Sequence, residues 1–154
     1  MRPCTARFPG SYQTIGVKFG LDCAVVLDEE LCVIDGRHFF IKGRICIPVH
    51  DSPDTFVWVG WVSLSETNFE RTVALWEQPG REAEPPYFGW LSSQIPCYPS
   101  TINLKTHVHT GPVGERPTVE LEPTDHPSAL GQRTGISLAR VREIAQALRH
   151  QDLQ

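Results

Sequence analysis

Residues 37–49 read RHFFIKGRICIPV, and their apolar side chains recur at every second position. This alternation is the period of a β-strand that presents one face to a core. Lys42 and Arg44 supply the polar face, and Gly43 between them predicts a bend or bulge. The apolar face consists of Phe39, Ile41, Ile45, Ile47 and Val49. We therefore predict one long strand with an irregularity near its middle.

A short strand is predicted to fold back on this one. Leu31–Ile34 is apolar and is followed directly by Asp35 and Gly36. Asp-Gly favours the tight turn of a two-residue hairpin, because both turn residues need positive φ. The two apolar runs therefore predict a first hairpin.

The next segments predict a central strand and a helix. Thr55–Leu64 is apolar on both parities, which is typical of a strand covered on both faces. From Glu66 to Glu77 the apolar spacing becomes helical, and Ser65 is placed as the N-cap. The proline-rich stretch 78–86 predicts a surface loop. Tyr87–Leu91 then fits either a strand or a packed turn.

A second hairpin is predicted over residues 102–122. The core-facing parity of its strands holds Ile102, Leu104, Thr106, Val108, Val119 and Leu121. The other parity holds the polar residues Lys105, His107, His109, Glu120 and Glu122. Residues 111–115 form the loop, and the strands should pair antiparallel with His107 opposite Glu120.

Two helices are predicted after this hairpin. Thr124 or Asp125 can cap a short helix that reaches Gly131, and a longer amphipathic helix begins after Ser137 and should dock on the sheet. Strands followed by helices, without βαβ repetition, predict an α+β fold. We expect an antiparallel or mixed sheet of about five to six strands, with a mid-chain helix and C-terminal helices packed on it.

The length of 154 residues suits one ordinary domain. We expect that single α+β domain to span residues 31–150. Residues 2–17 show weak periodicity and scattered Pro and Gly. Residues 1–30 are therefore predicted to be a divergent segment of weak order.

Charge and composition exclude several classes of function. A net charge of -4 and a pI near 5.8 argue against nucleic-acid binding, which needs clustered Lys and Arg. The longest aliphatic runs have four residues, so we expect no membrane span and no signal peptide. The five cysteines form no Cys-x-x-Cys pair, which predicts reduced thiols in a cytoplasmic protein.

Five motifs, in order along the chain, resemble one known family. They are Asp35-Gly36-Arg37-His38-Phe39-Phe40, Trp61-Val62-Ser63-Leu64-Ser65-Glu66, Tyr87-Phe88-Gly89-Trp90-Leu91, Leu104-Lys105-Thr106-His107-Val108-His109 and Glu120-Leu121-Glu122-Pro123-Thr124-Asp125-His126-Pro127. Residues 31–150 thus resemble the family known as domain of unknown function 2199. The resemblance implies a bacterial, intracellular domain with no established activity.

The segment before these motifs departs from that family. Members carry there a Cys-x-x-Cys knuckle that looks like half of a zinc site. Here Cys4 and Cys23 have no paired neighbours, so the resemblance implies no structural zinc for this chain.

The polar face of the second hairpin offers one candidate site. His107 and His109 share this face with Glu120 and Glu122, and His126 follows closely. Two imidazoles beside carboxylates could ligate a divalent metal that activates water. The alternative is a solvated face with cross-strand charge pairs and no ligand, which we prefer because His-x-His is a common pattern.

Aromatic residues indicate another kind of site. Tyr87 and Trp90 lie beside the proline-rich loop, and exposure of both would favour a protein-binding patch. His38 and Asp125 are the further candidates for this surface. His38 could also pair with Asp35 as an oriented base, although a solvated histidine beside a turn is the preferred interpretation.

These patterns favour a non-catalytic binding or protein-interaction domain. Its partner would be an unidentified protein or small molecule, and no cofactor is predicted. The competing hypothesis is a metal-dependent enzyme of hydrolase type built on residues 102–126. No phosphate loop, dinucleotide fingerprint or serine-nucleophile motif occurs in the sequence.

Overall fold

The computed structural model describes residues 25–27 and 30–152. The strands are β1 (Val25–Leu27), β2 (Leu31–Ile34), β3 (His38–Pro48), β4 (Thr55–Leu64), β5 (Tyr87–Leu91), β6 (Lys105–His109) and β7 (Thr118–Leu121). The helices are α1 (Glu66–Ala74), α2 (Pro127–Thr134) and α3 (Leu138–Asp152), with a short 3₁₀ helix at Arg81–Ala83. The predictions for Cys4 and Cys23 lie outside the described residues, as does the predicted weak order of residues 1–30 except at 25–27 and 30.

The strands form one mixed sheet that closes on itself. Each strand pairs antiparallel with the next one in the chain, and β3 also pairs in parallel with β7 at Arg44 and Thr118. Strands β3 to β7 therefore make a closed ring, from which β2 and β1 continue on β3. Helices α1 and α2 pack on β3, which confirms the predicted α+β class.

Gly43 lies where the ring closes. A Cβ atom at this position would lie 2.5 Å from Val119 Cγ2 and 3.2 Å from the Pro117 carbonyl oxygen. The next amide, that of Arg44, donates to this same oxygen over 2.9 Å. The β3–β4 register passes through Gly43, opposite Gly60, without interruption, so the predicted bulge is wrong. The glycine is required instead by the close approach of β3 to β7, which only a residue without a side chain permits.

The first hairpin forms as predicted, apart from the length of its loop. Leu31–Ile34 pairs antiparallel with the start of β3, with Ile34 opposite His38. Asp35, Gly36 and Arg37 lie between the paired residues, so the loop has three residues. Asp35 and Gly36 have left-handed φ of 57° and 66°, and the Arg37 amide donates to the Ile34 carbonyl oxygen over 3.1 Å.

Strand β4 differs from its prediction in one half. Val57 and Val59 are exposed, so coverage on both faces is wrong for the first half of the strand. The reason is that β5 pairs with β4 only at Val62 and Ser63, near its end. The first half instead forms an arm with β3 whose inner face, with Phe56 and Trp58, packs against the core, while its outer face is exposed.

The helix boundaries also need correction. Helix α1 starts at the predicted cap, since Ser65 Oγ accepts from the Asn68 amide over 3.1 Å. It ends at Ala74 and not at Glu77. The cap of α2 is neither Thr124 nor Asp125 but His126, whose Nδ1 accepts from the Ser128 amide.

Two further predictions concern Ile102 and the last helix. Ile102 was expected to face the core, but it lies in an exposed turn before β6 begins at Lys105. Helix α3 buries Ile144. Its Arg140 donates to the Cys97 carbonyl oxygen over 3.1 Å and lies over the ring of Tyr98.

Substitution Gly43→Ala should destabilise the fold, because the new methyl group meets Val119 and the Pro117 carbonyl. We expect a loss of about 1–3 kcal/mol in the free energy of unfolding, as for other overpacked interiors. Urea unfolding measures this loss in the free energy of unfolding. The same substitution in a Val119→Ala background should cost less, since the overlapping methyl is gone. An equal cost in both backgrounds would contradict the predicted overlap.

Candidate functional site

Two aromatic side chains stand exposed on the outer face of β5. Phe88 is 40% exposed and Trp90 is 41% exposed, whereas Tyr87 is only 7% exposed. Successive residues of a strand face opposite sides, so Tyr87, with Leu91, belongs to the core. The expectation that Tyr87 is exposed beside Trp90 is therefore corrected. Phe88 is the exposed neighbour.

Gly89, between the two aromatic residues, holds β5 close to β4. A Cβ atom there would overlap the Val62 side chain and approach the Ser63 carbonyl oxygen to 2.7 Å. Any larger residue would push the strands apart. Gly89 therefore fixes the position of the strand that carries Phe88 and Trp90.

The polar face of the β6–β7 hairpin lies beside this aromatic pair. His107 is opposite Glu120, as predicted, and Lys105 on β6 is opposite Trp90 on β5. The imidazole–carboxylate contacts run diagonally. His107 Nε2 lies 3.3 Å from a Glu122 oxygen, and His109 Nε2 lies 3.0 Å from a Glu120 oxygen. Diagonal neighbours of this kind are within reach of long side chains.

Five of these side chains form a continuous chain of contacts, here called the outer-face cluster: Lys105, Trp90, Phe88, His107 and Glu122. The Phe88 and Trp90 rings meet edge to face, with centroids 5.1 Å apart and an angle of 89°. The Phe88 and His107 centroids are 6.2 Å apart, and Lys105 Nζ lies 5.9 Å from the Trp90 centroid. Aromatic, cationic and anionic groups thus share one patch of rigid sheet.

A small cavity opens next to the outer-face cluster. Its volume is about 280 Å³. It lies between the ends of β6 and β7 and helix α2, and its lining residues are Asn103, Leu104, Lys105, Leu121, Glu122, Thr124 and Ala129. Lys105 and Glu122 belong to both the cavity and the cluster, so the two features are contiguous.

His126 is held away from the hairpin histidines by backbone contacts. Its Nε2 donates to the Ser100 carbonyl oxygen over 2.9 Å, while its Nδ1 caps α2. Within residues 25–27 and 30–152, no three His, Cys, Asp or Glu side chains are grouped so that they could hold a metal ion. The metal site on His107, His109 and the two glutamates stays a prediction, as does the absence of a cofactor.

The other two surface candidates lie apart from the aromatic pair. His38 is exposed at the start of β3, and the carboxylate of Asp35 pairs with Arg37 at 3.3 Å. Asp125 is exposed just before α2. Across the described part of the chain, neither side chain has a hydrogen bond or ion pair with the outer-face cluster.

Arg81 is a buried residue that the sequence pattern did not indicate. Its guanidinium donates to the carbonyl oxygens of Gly111, Pro112 and Glu115 over 2.7–2.9 Å, and to that of Trp76 over 3.0 Å. It therefore holds the loop between β6 and β7 against the segment after α1. An arginine in a proline-rich stretch suggests an exposed loop, and no sequence signal distinguishes this one.

A second polar network anchors β5 through Tyr87. Arg71 donates two hydrogen bonds to the Glu84 carboxylate, and Tyr87 donates a short one to the same group. These donors, Arg71 first, lower the pKa of Glu84 to about 2. Burial, together with the Glu84 charge, raises the pKa of Tyr87 to about 12. Tyr87 therefore remains a neutral donor that anchors its strand.

Glu84 should make the fold sensitive to acid. Because the folded-state pKa of Glu84 is lowered from 4.5 to about 2, its contribution to stability is present above pH 4.5 and is lost as the pH falls towards 2. Substitution Glu84→Gln should lower the urea midpoint at neutral pH and make little difference near pH 2. Glu66→Gln, at an exposed position in the first turn of α1, is the control. A difference between wild type and Glu84→Gln that persists at the lowest pH would contradict this role.

Comparisons with known proteins give one match. The family model described as "Uncharacterized protein conserved in bacteria (DUF2199)" matches residues 2–136. The match starts before the motifs that begin at Asp35 and ends before α3. Searches of curated proteins and of solved structures give no match. Among the described helices, none has the length and apolar character needed to cross a membrane. The chain belongs to the bacterial DUF2199 family.

Proposed function

We propose that this protein is a non-catalytic binding domain that captures a peptide segment of a protein partner on the outer-face cluster. The observation that carries the proposal is the pair Phe88 and Trp90, side by side and each about two-fifths exposed. Large aromatic side chains are enriched at the centres of protein interfaces, where they bury much area at low cost in side-chain entropy.

The support beneath the pair favours recognition of a partner. Gly89 keeps β5 tight against β4, and Tyr87 is anchored through Glu84. Phe88 and Trp90 also hold each other in an edge-to-face contact. A surface fixed before binding loses little freedom when a partner arrives.

The charges of the face favour a cationic partner. Glu120 and Glu122 supply two carboxylates, each in contact with a histidine, against the single ammonium of Lys105, and the whole chain has a net charge of -4. A chain of this sign steers positive segments towards itself and repels phosphate backbones. An Arg or Lys of the partner could also stack on the aromatic rings. The occupant we propose is therefore a segment that carries a basic residue beside an apolar one.

Selection from a random peptide library tests this function. Enriched peptides should carry Arg or Lys next to an apolar residue and should bind the wild-type protein in solution. Trp90→Ser should weaken binding about tenfold or more, as expected for a central aromatic contact. The matched control is Val59→Ser, which removes a side chain of similar exposure from the β4 arm.

Two further variants test whether the bound segment is positively charged. Glu120→Gln should slow association with the selected peptides, and Lys105→Gln should speed it, with both effects reduced by salt. Selection of acidic peptides, with the opposite responses, would overturn the basic partner. Equal binding by wild type and Trp90→Ser, or failure of any peptide to be enriched, would overturn the binding surface itself.

A further inference from the structure

We infer that the cavity between β6, β7 and α2 is a specificity pocket that receives one apolar side chain of the bound segment. The inference rests on the proposed function, because the cavity would be the second place at which the same peptide contacts the protein. It goes beyond that function by naming the position that selects among partners.

The size of the cavity suits a side chain. Its volume of about 280 Å³ lies below the roughly 300–1,000 Å³ that is usual for sites of drug-sized ligands. Leu104, Leu121 and Ala129 supply apolar walls. The buried polar atoms without a partner in the described residues lie on Arg44, Trp58 and Tyr98, and none of these lines the cavity. Among the described residues, no buried side-chain N or O atom at the cavity lacks a partner, and the other lining residues, Asn103, Lys105, Glu122 and Thr124, are polar.

The walls are fixed before anything binds. Gln132 of α2 accepts from the Leu121 amide over 2.7 Å and donates to the Val119 carbonyl oxygen over 2.8 Å. These two bonds hold α2, with Ala129, against β7. The Leu104 carbonyl accepts from the Leu91 amide over 2.8 Å, which fixes the opposite wall.

The position of the cavity suits a segment already seated on the aromatic pair. Lys105 lies opposite Trp90 on the neighbouring strand and also lines the cavity. Neighbouring strands are about 4.8 Å apart, and an extended chain advances about 3.3 Å per residue. One strand spacing thus corresponds to between one and two residues of an extended peptide, so the residue that enters the cavity lies close in the peptide to the one that contacts Trp90.

Two charged residues of the cavity lining would lie beside the apolar side chain of the bound peptide. Lys105 and Glu122 are opposite each other across the hairpin, where the Glu122 amide donates to the Lys105 carbonyl oxygen over 2.9 Å. Their side chains provide one cation and one anion beside an apolar space. An unbranched or γ-branched apolar residue, such as Met or Leu, in a segment with a nearby basic residue fits this chemistry.

Peptides from the selection, resynthesised with Gly, Leu or Phe at the position nearest the cavity, test the pocket. Wild type should prefer Leu over Gly by about tenfold, the order expected for burying one such side chain. Ala129→Leu should fill the pocket and remove this preference. Leu104→Ala, at a less buried position, should enlarge the pocket and shift the preference towards Phe. Thermal melting would show whether each variant remains folded.

The two levels of the proposal fail in different ways. An unchanged preference for Leu in both folded cavity variants, with binding still dependent on Trp90, would overturn the pocket and leave the binding surface in place. Loss of the dependence on Trp90 would overturn the binding surface, whatever the cavity variants do. A shift of preference in either folded cavity variant, with Trp90 still required, would support both.

Discussion

The contact between β3 and β7 at Gly43 is the constraint on which the rest of the structure depends. Among the described strands, six pairings join neighbours in the chain, and antiparallel neighbours need no crossover connection. The seventh brings Arg44 to Thr118 and turns a meander into a closed ring. Closure removes the free edges of β3 and β7 at that point, and unpaired edges are a liability for any sheet.

Closure also determines where the aromatic pair stands. With β7 held on β3, the β6–β7 hairpin is fixed at both of its edges, because β5 pairs with β6 on the other side. Arg81 holds the loop of the same hairpin through three backbone carbonyls. The outer-face cluster therefore lies on strands that are tied at each end.

The local elements could be predicted from sequence because their signals are local. Alternation over residues 102–122 fixed the register of the second hairpin, and Asp35 and Gly36 marked the first turn. Closure was not predictable in the same way, since Gly43 indicates a close approach but not which strand approaches. Tyr87–Leu91 has no strongly polar side chain, so the sequence does not show which of its side chains face the core. The exposed neighbour of Trp90 is Phe88 and not the candidate Tyr87.

The candidate site was only partly predictable for a related reason. The hairpin face was identified with its opposite pairs, but its imidazole–carboxylate contacts run diagonally, which a pattern of directly opposite residues does not contain. The cavity needs the position of α2, which depends on Gln132 bonding to β7. Three of the four carbonyl oxygens that surround the buried Arg81 are at least 30 residues away in the chain, and a single sequence carries no sign of them.

Amide hydrogen exchange at Arg44 tests closure of the sheet most directly. The Arg44 amide points away from β4, and its acceptor is the Pro117 carbonyl oxygen, on the segment that leads into β7. If the ring is closed, this amide should exchange as slowly as the amides within the β3–β4 ladder, which open only with the core. Exchange of the Arg44 amide at the rate of an exposed loop amide, while the β3–β4 ladder stays protected, would contradict the closed sheet.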